Sequence, residues 1–120
     1  MISVDLYFES LLARLDDAER VPFREVYLDH GIRPVRNECH DNVDAFIKSH
    51  LQFRAVRGWA VTAGCILDAH SVVCDEHGFL WDITFDSLPE PGLLFIRHRG
   101  TDEEFIGLRM QRAQHIYCGH

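Results

Sequence analysis

The sequence predicts a single α+β domain in which N-terminal helices, one of them bearing a cysteine, pack on an antiparallel sheet of about four or five strands. The first half of the chain carries apolar residues at helical spacing, and after Leu51 the pattern changes to short segments rich in β-formers. With 120 residues, of which 47% are hydrophobic and 26% charged, the chain fits one globular domain over residues 1–120.

Two segments predict helices near the N-terminus. Within residues 4–18, four apolar side chains at positions i, i+3, i+4 and i+7 share one helix face: Phe8, Leu11, Leu12 and Leu15. Residues 21–30 form a candidate short helix. It would end at Gly31 and Pro34, because the residue before a proline disfavours helical geometry.

The segment RPVRNECHDNVDAFIKSH predicts a further helix with a cysteine in its first turn. Asn37 is a suitable N-cap residue. Cys39 lies four residues before Val43, so it belongs to the apolar face that Val43 forms with Phe46 and Ile47. A thiolate at this position meets the unpaired N–H groups and the positive end of the helix, which lower the pKa of the thiol.

Four segments after Leu51 predict strands: RAVRGWAV, CILDAHSVVC, GFLWDITF and GLLFI. Residues 76–78 form a candidate three-residue loop between the second and third segments, and Gly78 suits the left-handed position of such a loop. This loop pairs Asp75 with Phe79, which puts His70 and Asp82 on one face as diagonal neighbours within reach of a hydrogen bond. A four-residue loop would put them on opposite faces.

A cysteine at a helix start, a histidine on a strand and a carboxylate on the next strand match the Cys-His-Asp arrangement of acyl-transfer chemistry. Cys39 would attack a carbonyl carbon, and His70 would move the proton. Asp82 would orient the imidazole and stabilise its charged form. The backbone N–H of Cys39 and the side chain of Asn37 are the candidate oxyanion donors.

These residues resemble the transglutaminase-like branch of the papain-like superfamily. The order Cys, His, Asp, with 31 residues from Cys39 to His70 and 12 from His70 to Asp82, is similar to that branch. VRGWAV looks like the strand that precedes the histidine hairpin, and AHSVV and LWDIT look like the histidine and aspartate strands. The resemblance covers about residues 34–85. It implies a papain-like fold and acyl transfer on an amide bond: peptide or isopeptide hydrolysis, deamidation or transamidation.

Three positions depart from the family pattern. His40 replaces the common tryptophan after the cysteine, Val72 replaces an aromatic residue two positions after the histidine, and Ile83 replaces a proline. The departures leave the three catalytic candidates in place and bear on the substrate cleft. The length of the chain fits a compact hydrolase, deamidase or protein-modifying domain.

Two alternatives to an enzyme remain open. One is a zinc site, because two cysteines and two histidines follow one another at the spacing C-x4-H-x3-C-x2-H, and another pair lies near the C-terminus. The candidate ligands are Cys65, His70, Cys74, His77, Cys118 and His120. The other is a non-catalytic binding module with Trp59 and Trp81 in a cleft. Taken singly, Cys39 could also be a buried apolar filler.

The formal net charge of −7 argues against a nucleic-acid surface, because phosphate binding needs clustered basic residues. The segment MISVDLYFES lacks the features of a signal peptide, and no apolar run reaches membrane-spanning length, so we expect a cytoplasmic protein without membrane insertion. A protein or peptide substrate is expected and no cofactor is needed. Near the C-terminus, Thr101 and Glu104 match a capping box, although EEFIGLRM also suits a strand.

Overall fold

The computed structural model describes residues 4–62, 66–84, 92–111 and 115–117, and within these ranges it has three α-helices and one antiparallel sheet. The helices are α1 (Val4–Ala13), α2 (Cys39–Ser49) and α3 (Asp102–Gln111). The strands are β1 (Glu19–Val21), β2 (Arg54–Thr62), β3 (Ile66–Cys74), β4 (Leu80–Trp81), β5 (Leu93–Arg97) and β6 (His115–Tyr117). The α+β class predicted from the sequence is therefore confirmed.

The sheet has the strand order β1-β5-β2-β3-β4, and β6 also pairs with β3. One edge of β3 pairs with β2 over its whole length. The other edge pairs with β6 at residues 66–68 and with β4 at residues 73–74. His70 therefore lies on the stretch of β3 between these two short partners. The described part of the sheet has six strands, one more than the sequence pattern suggested.

The hairpin between β3 and β4 has the predicted register. Cys74 pairs with Leu80, the N–H of Asp75 donates to the carbonyl of Phe79 at 2.9 Å, and Gly78 has a φ of 89°. The three-residue loop is therefore confirmed. The strand that follows is shorter than GFLWDITF suggested: after β4, Asp82 forms only an isolated parallel bridge with Phe23.

The predicted helix over residues 21–30 is wrong. The N–H of Arg24 donates to the carbonyl of Asp82, and the N–H of Asp82 donates to the carbonyl of Pro22, both at 2.9 Å. These pairings hold the segment extended beside Asp82, and only a 3-10 turn at Asp29–Gly31 forms. Tertiary hydrogen bonds thus override the local helical tendency, and they fix the backbone of Asp82 from its outer side.

The three helices cover the same face of the sheet. Side chains of α1 and α3 pack with one buried cluster of Tyr7, Phe8, Leu11, Trp59, Leu67, Ala69, Ile96, Phe105 and Leu108. Side chains of α2 pack with a second cluster of Val26, Val43, Phe46, Phe53, Val73 and Ile83. Leu67, Ala69 and Val73 have the same parity on β3 and therefore point to one face. The start of α2 is held against β3 by this packing.

The first and last helices, α1 and α3, differ in how well the sequence pattern predicted them. The first helix ends at Ala13, earlier than residue 18, and a 3-10 turn follows at Leu15–Asp17. The segment after Thr101 is helical, and the capping box is present: Thr101 N–H donates to Glu104 Oε1 and Glu104 N–H donates to Thr101 Oγ1, each at 3.2 Å. Within the described ranges, none of the helices has the length and apolarity needed to cross a bilayer.

Candidate active site

Cys39 is the first residue of α2, and its side chain is 8% exposed. The residue at the cap position is Glu38, which makes no side-chain cap hydrogen bond. Asn37 is exposed and has a φ of 67°, so the expectation that Asn37 caps the helix is wrong. Asparagine tolerates this left-handed geometry, which belongs here to a turn closed by the N–H of Glu38 and the carbonyl of Val35.

The buried side chain of Asn42 anchors the start of the helix. Its Oδ1 accepts a hydrogen bond from the N–H of Val35 at 2.9 Å, and its Nδ2 donates to the carbonyl of Val35 at 2.8 Å. The same Nδ2 donates to Oγ1 of Thr84 at 3.1 Å. One amide thus joins α2 to the turn before it and to the segment after Asp82. Sequence reasoning missed this residue, although its i+3 spacing from Cys39 places a polar group on the buried helix face.

His70 and Asp82 form a buried hydrogen-bonded pair. Nε2 of His70 lies 3.1 Å from Oδ1 of Asp82, and each side chain is 1% exposed. The same Oδ1 accepts the N–H of Thr84 at 3.1 Å, which fixes the carboxylate. The diagonal contact predicted from the hairpin register is confirmed. Nε2 is therefore the ring nitrogen that contacts Asp82.

The charges of Cys39 and His70 are coupled. Burial raises the pKa of the Cys39 thiol, but its interactions with the imidazoles of His40 and His70 outweigh burial and bring that pKa down to about 6. Burial lowers the pKa of His70, but hydrogen bonds with Asp82 and Cys39 raise it to about 9. Between these two values the site holds a thiolate beside an imidazolium, which is the reactive form of a cysteine nucleophile.

His40 is a second imidazole at the thiol, and the sequence pattern did not indicate its role. Its Nδ1 lies 2.6 Å from Oγ of Ser71, and its ring packs edge-on against Phe105 with centroids 5.7 Å apart. Its Nε2 is buried and makes no hydrogen bond of standard geometry within the described residues. His40 contributes to the lowered pKa of the Cys39 thiol.

The serine beside His40 is tied to a charged group. Ser71 is fully buried, and its Oγ accepts a hydrogen bond from Nη1 of Arg57 at 2.8 Å. Arg57 also donates through Nη2 to Oδ1 of Asp44 at 2.5 Å and through Nε to Oδ2 of Asp102 at 3.4 Å. Asp44 and Asp102 belong to two different helices, so the guanidinium is fixed from both sides.

The structure bears on the two alternatives to an enzyme, the zinc site and the binding module. Cys65, Cys118 and His120 lie outside the described residues. Among those described, no group of three or more histidine, cysteine, aspartate or glutamate side chains is placed to hold a metal ion. Trp59 is fully buried in the core, so it does not line a cleft, while the indole of Trp81 donates to Oδ2 of Asp75 at 3.0 Å.

The arrangement has the parts that acyl transfer requires. A thiol, an imidazole and a carboxylate come from α2, β3 and the residue after β4. The first N–H groups of α2 have no partner within the helix, because a helix start leaves its first donors free of internal bonds. No family model matches the chain, and comparison with curated proteins and with solved structures finds no match.

Proposed function

We propose that this protein is an enzyme with a papain-like fold of the transglutaminase-like type, which transfers an acyl group from an amide bond through Cys39. His70 transfers the proton, and Asp82 orients the imidazole of His70. The observation that carries the proposal is the buried His70–Asp82 hydrogen bond beside a cysteine at a helix start. Burial alone would raise the pKa of a cysteine that only fills space, whereas interactions with His40 and His70 lower the pKa of Cys39.

The first half-reaction begins with attack of the Cys39 thiolate on the carbonyl carbon. A C–S bond forms, and the π electrons of the carbonyl move to its oxygen. We assign stabilisation of this oxyanion to the backbone N–H of Cys39, with the exposed Asn37 as a secondary candidate donor. The C–N bond then breaks, and the leaving nitrogen takes the proton of the His70 imidazolium. A thioester on Cys39 and a free amine or ammonia result.

The second half-reaction regenerates the site. Neutral His70 removes a proton from water or from an acceptor amine, which attacks the thioester carbon. The C–S bond breaks, its electron pair returns to sulfur, and the thiolate again faces a protonated imidazole. With water the outcome is hydrolysis or deamidation, and with an amine it is transamidation. We propose a protein or peptide substrate, because side-chain and main-chain amides carry this chemistry.

The test is direct capture of the acyl-enzyme. Trypsin releases residues 37–48 as a peptide that holds Cys39 alone, whereas Cys65 and Cys74 share residues 58–97. After a short exposure to p-nitrophenyl acetate, we expect one acetyl group on peptide 37–48 and a matching burst of p-nitrophenolate. His70→Ala should slow both acetylation and release of the acetyl group to water. Peptides with a glutamine side chain or a labile backbone amide then report amide chemistry by release of ammonia or amine.

Two controls make the result decisive. Cys39→Ala should abolish the burst, and acetylation of the peptide with Cys118 gives an internal background rate in the same sample. If peptide 37–48 is acetylated no faster than that background, the acyl-transfer proposal fails. A folded protein with an unreactive Cys39 would then be a binding module that retains the arrangement without the chemistry.

A further inference from the structure

The residues that directly follow Cys39 and His70 in the chain are joined by a hydrogen bond. Nδ1 of His40 lies 2.6 Å from Oγ of Ser71, so the bond joins the first turn of α2 to the middle of β3. Consecutive Cα atoms are only about 3.8 Å apart. A contact one residue away from both Cys39 and His70 therefore fixes their main chains relative to each other.

We propose that His40 and Ser71 are positioning residues for acyl transfer, and that their hydrogen bond holds the main chain of Cys39 at its working distance from that of His70. The inference rests on the proposed function for its catalytic meaning. Neither side chain needs to touch the reacting atoms, because the imidazole acts through the backbone of α2 and the hydroxyl acts through the backbone of β3.

Ser71 is a firmly held anchor for this bond. It is fully buried, and it pairs directly with Arg57 in the register of β2 and β3. Nη1 of Arg57 donates to Oγ of Ser71 at 2.8 Å. A hydroxyl oxygen accepts this bond and can still donate to a ring nitrogen or accept from one, so the bond to His40 forms in both tautomers of the ring.

Arg57 also holds α2 at a second point, Asp44, which lies one turn beyond His40. Nη2 of Arg57 donates to Oδ1 of Asp44, whose side chain is 49% exposed. A single contact would leave the start of α2 free to pivot about it, and the second contact removes that freedom. The buried bond of Ser71 carries more of the restraint, because solvent weakens an ion pair with a half-exposed carboxylate.

The ring of His40 is also held by packing, and this allows packing and hydrogen bonding to be tested separately. The imidazole lies edge-on against Phe105 of α3, with ring centroids 5.7 Å apart. His40→Phe keeps an aromatic ring at this contact and removes the hydrogen bond. His40→Asn does the opposite, because the asparagine amide places a polar atom at about the position of Nδ1. A purely structural function predicts that the two folded variants differ only in stability, whereas positioning predicts that they differ in rate.

The test is the rate at which acetylated Cys39 loses its acetyl group to water, followed on tryptic peptide 37–48 after exposure to p-nitrophenyl acetate. This step needs His70 to activate water beside the acyl group, and its rate does not depend on binding of the ester. Because a misplacement of about 1 Å can cost about 100-fold, we expect a loss of about tenfold in both His40→Phe and Ser71→Ala. His40→Asn keeps the bond and should stay within about twofold of the wild-type rate, although it melts at a lower temperature.

The double variant His40→Phe/Ser71→Ala tests whether the two side chains act as one unit. Both changes remove the same bond, so the double variant should lose about tenfold, like each single variant, rather than about 100-fold. The proposal is overturned by wild-type deacetylation in Ser71→Ala, by equal losses in His40→Asn and His40→Phe, or by additive losses in the double variant. If His40→Phe does not fold, a slowed Ser71→Ala with a wild-type rate in His40→Asn supports the proposal, and any other pair of rates contradicts it.

The proposed function is judged by a different result of the same experiment. A wild-type protein that forms and hydrolyses acetylated Cys39 supports acyl transfer, whatever the variants do. If the wild type forms no acyl-enzyme, acyl transfer fails, and alkylation of Cys39 by iodoacetamide then tests the positioning in Ser71→Ala, which leaves the side chain of His40 in place. A loosened pair of Cys39 and His70 should raise the midpoint of alkylation by about 1 pH unit and slow it about fivefold at pH 6. A wild-type rate of alkylation would overturn the positioning.

Discussion

Asn42 on the cysteine helix donates a hydrogen bond to Thr84, two residues after the aspartate of the site, at 3.1 Å. Thr84 in turn donates its N–H to Oδ1 of Asp82 at 3.1 Å. The helix that carries Cys39 and the carboxylate of Asp82 are therefore joined by a hydrogen-bonded path that does not pass through His70. Acyl transfer requires reacting groups in fixed relative positions, and this path fixes two of the three.

Replacing Asn42 by alanine should destabilise the protein and loosen the site together. The change leaves the N–H and carbonyl of Val35 and the hydroxyl of Thr84 without their partner, at roughly 1 kcal/mol for each lost hydrogen bond, or about 3 kcal/mol in all. Urea denaturation measures the loss. Lys48→Ala, at an exposed position on the same helix, is the matched control and should change the free energy of unfolding by less than about 0.5 kcal/mol. Equal losses in the two variants would contradict the anchoring function of Asn42.

The pH profiles of alkylation and of acyl transfer should differ in shape. Alkylation needs only the thiolate, so its rate should rise through the Cys39 pKa of about 6 and then level off. Acyl transfer also needs the proton of His70 for the leaving group, so it should fall again above the His70 pKa of about 9. The acid limb is set by the lowered pKa of Cys39, and the alkaline limb is set by the raised pKa of His70. Acyl transfer that stays constant above pH 10 would exclude His70 as the proton donor.

Asp82→Asn should shift the alkaline limb to lower pH. Burial disfavours the imidazolium of His70, and the hydrogen bond with Asp82 opposes this effect, so removal of the carboxylate charge lowers the pKa of His70. We expect acyl transfer at pH 7 to fall by about 10²- to 10⁴-fold, the range that a misplaced acid–base group costs. Glu103→Gln removes one negative charge from an exposed position of α3 and serves as the control. If both variants keep the wild-type rate, Asp82 has no catalytic function.

The contact between His70 and Asp82 could be predicted from the sequence because it depends on local rules. Gly78 fixes the loop length, the loop length fixes the register, and strand alternation then sets which side chains share a face. The same reasoning placed Cys39 at the start of a helix. Each step needed only residues close together in the sequence.

The hydrogen bond of His40 with Ser71 and that of Arg57 with Asp102 could not be predicted, because each joins residues far apart in the sequence. His40 reaches Ser71 across 31 positions and Arg57 reaches Asp102 across 45. The error over residues 21–30 has the same origin: the backbone bonds of Pro22 and Arg24 are made with Asp82, which local propensity does not register. The cap was misplaced by one residue because Asn37 suits a left-handed turn as well as an N-cap position.

Gly58→Ala should damage both the fold and the reactive cysteine. Gly58 lies on β2 directly opposite His70, and a methyl group there would meet the carbonyl oxygen of Ile96 and Cζ of Phe95, the latter at 2.5 Å. Phe95 packs on His70, so the clash should be transmitted to the imidazole. Overpacking of this kind costs about 1–3 kcal/mol of stability. In the folded fraction of the Gly58→Ala variant, we expect slower alkylation of Cys39 at pH 7.

Gly78→Ala is the informative comparison, because it strains the backbone at a position where the added methyl group has room. A methyl group at Gly78 would have no neighbour within 4 Å, and the cost comes from the φ of 89° alone, about 1–2 kcal/mol. The loop is remote from Phe95, so alkylation of Cys39 should keep its wild-type rate. Thermal melting and the peptide 37–48 assay separate the two effects. If Gly58→Ala alkylates at the wild-type rate while it melts at a lower temperature, the packing of Phe95 on His70 does not position the imidazole.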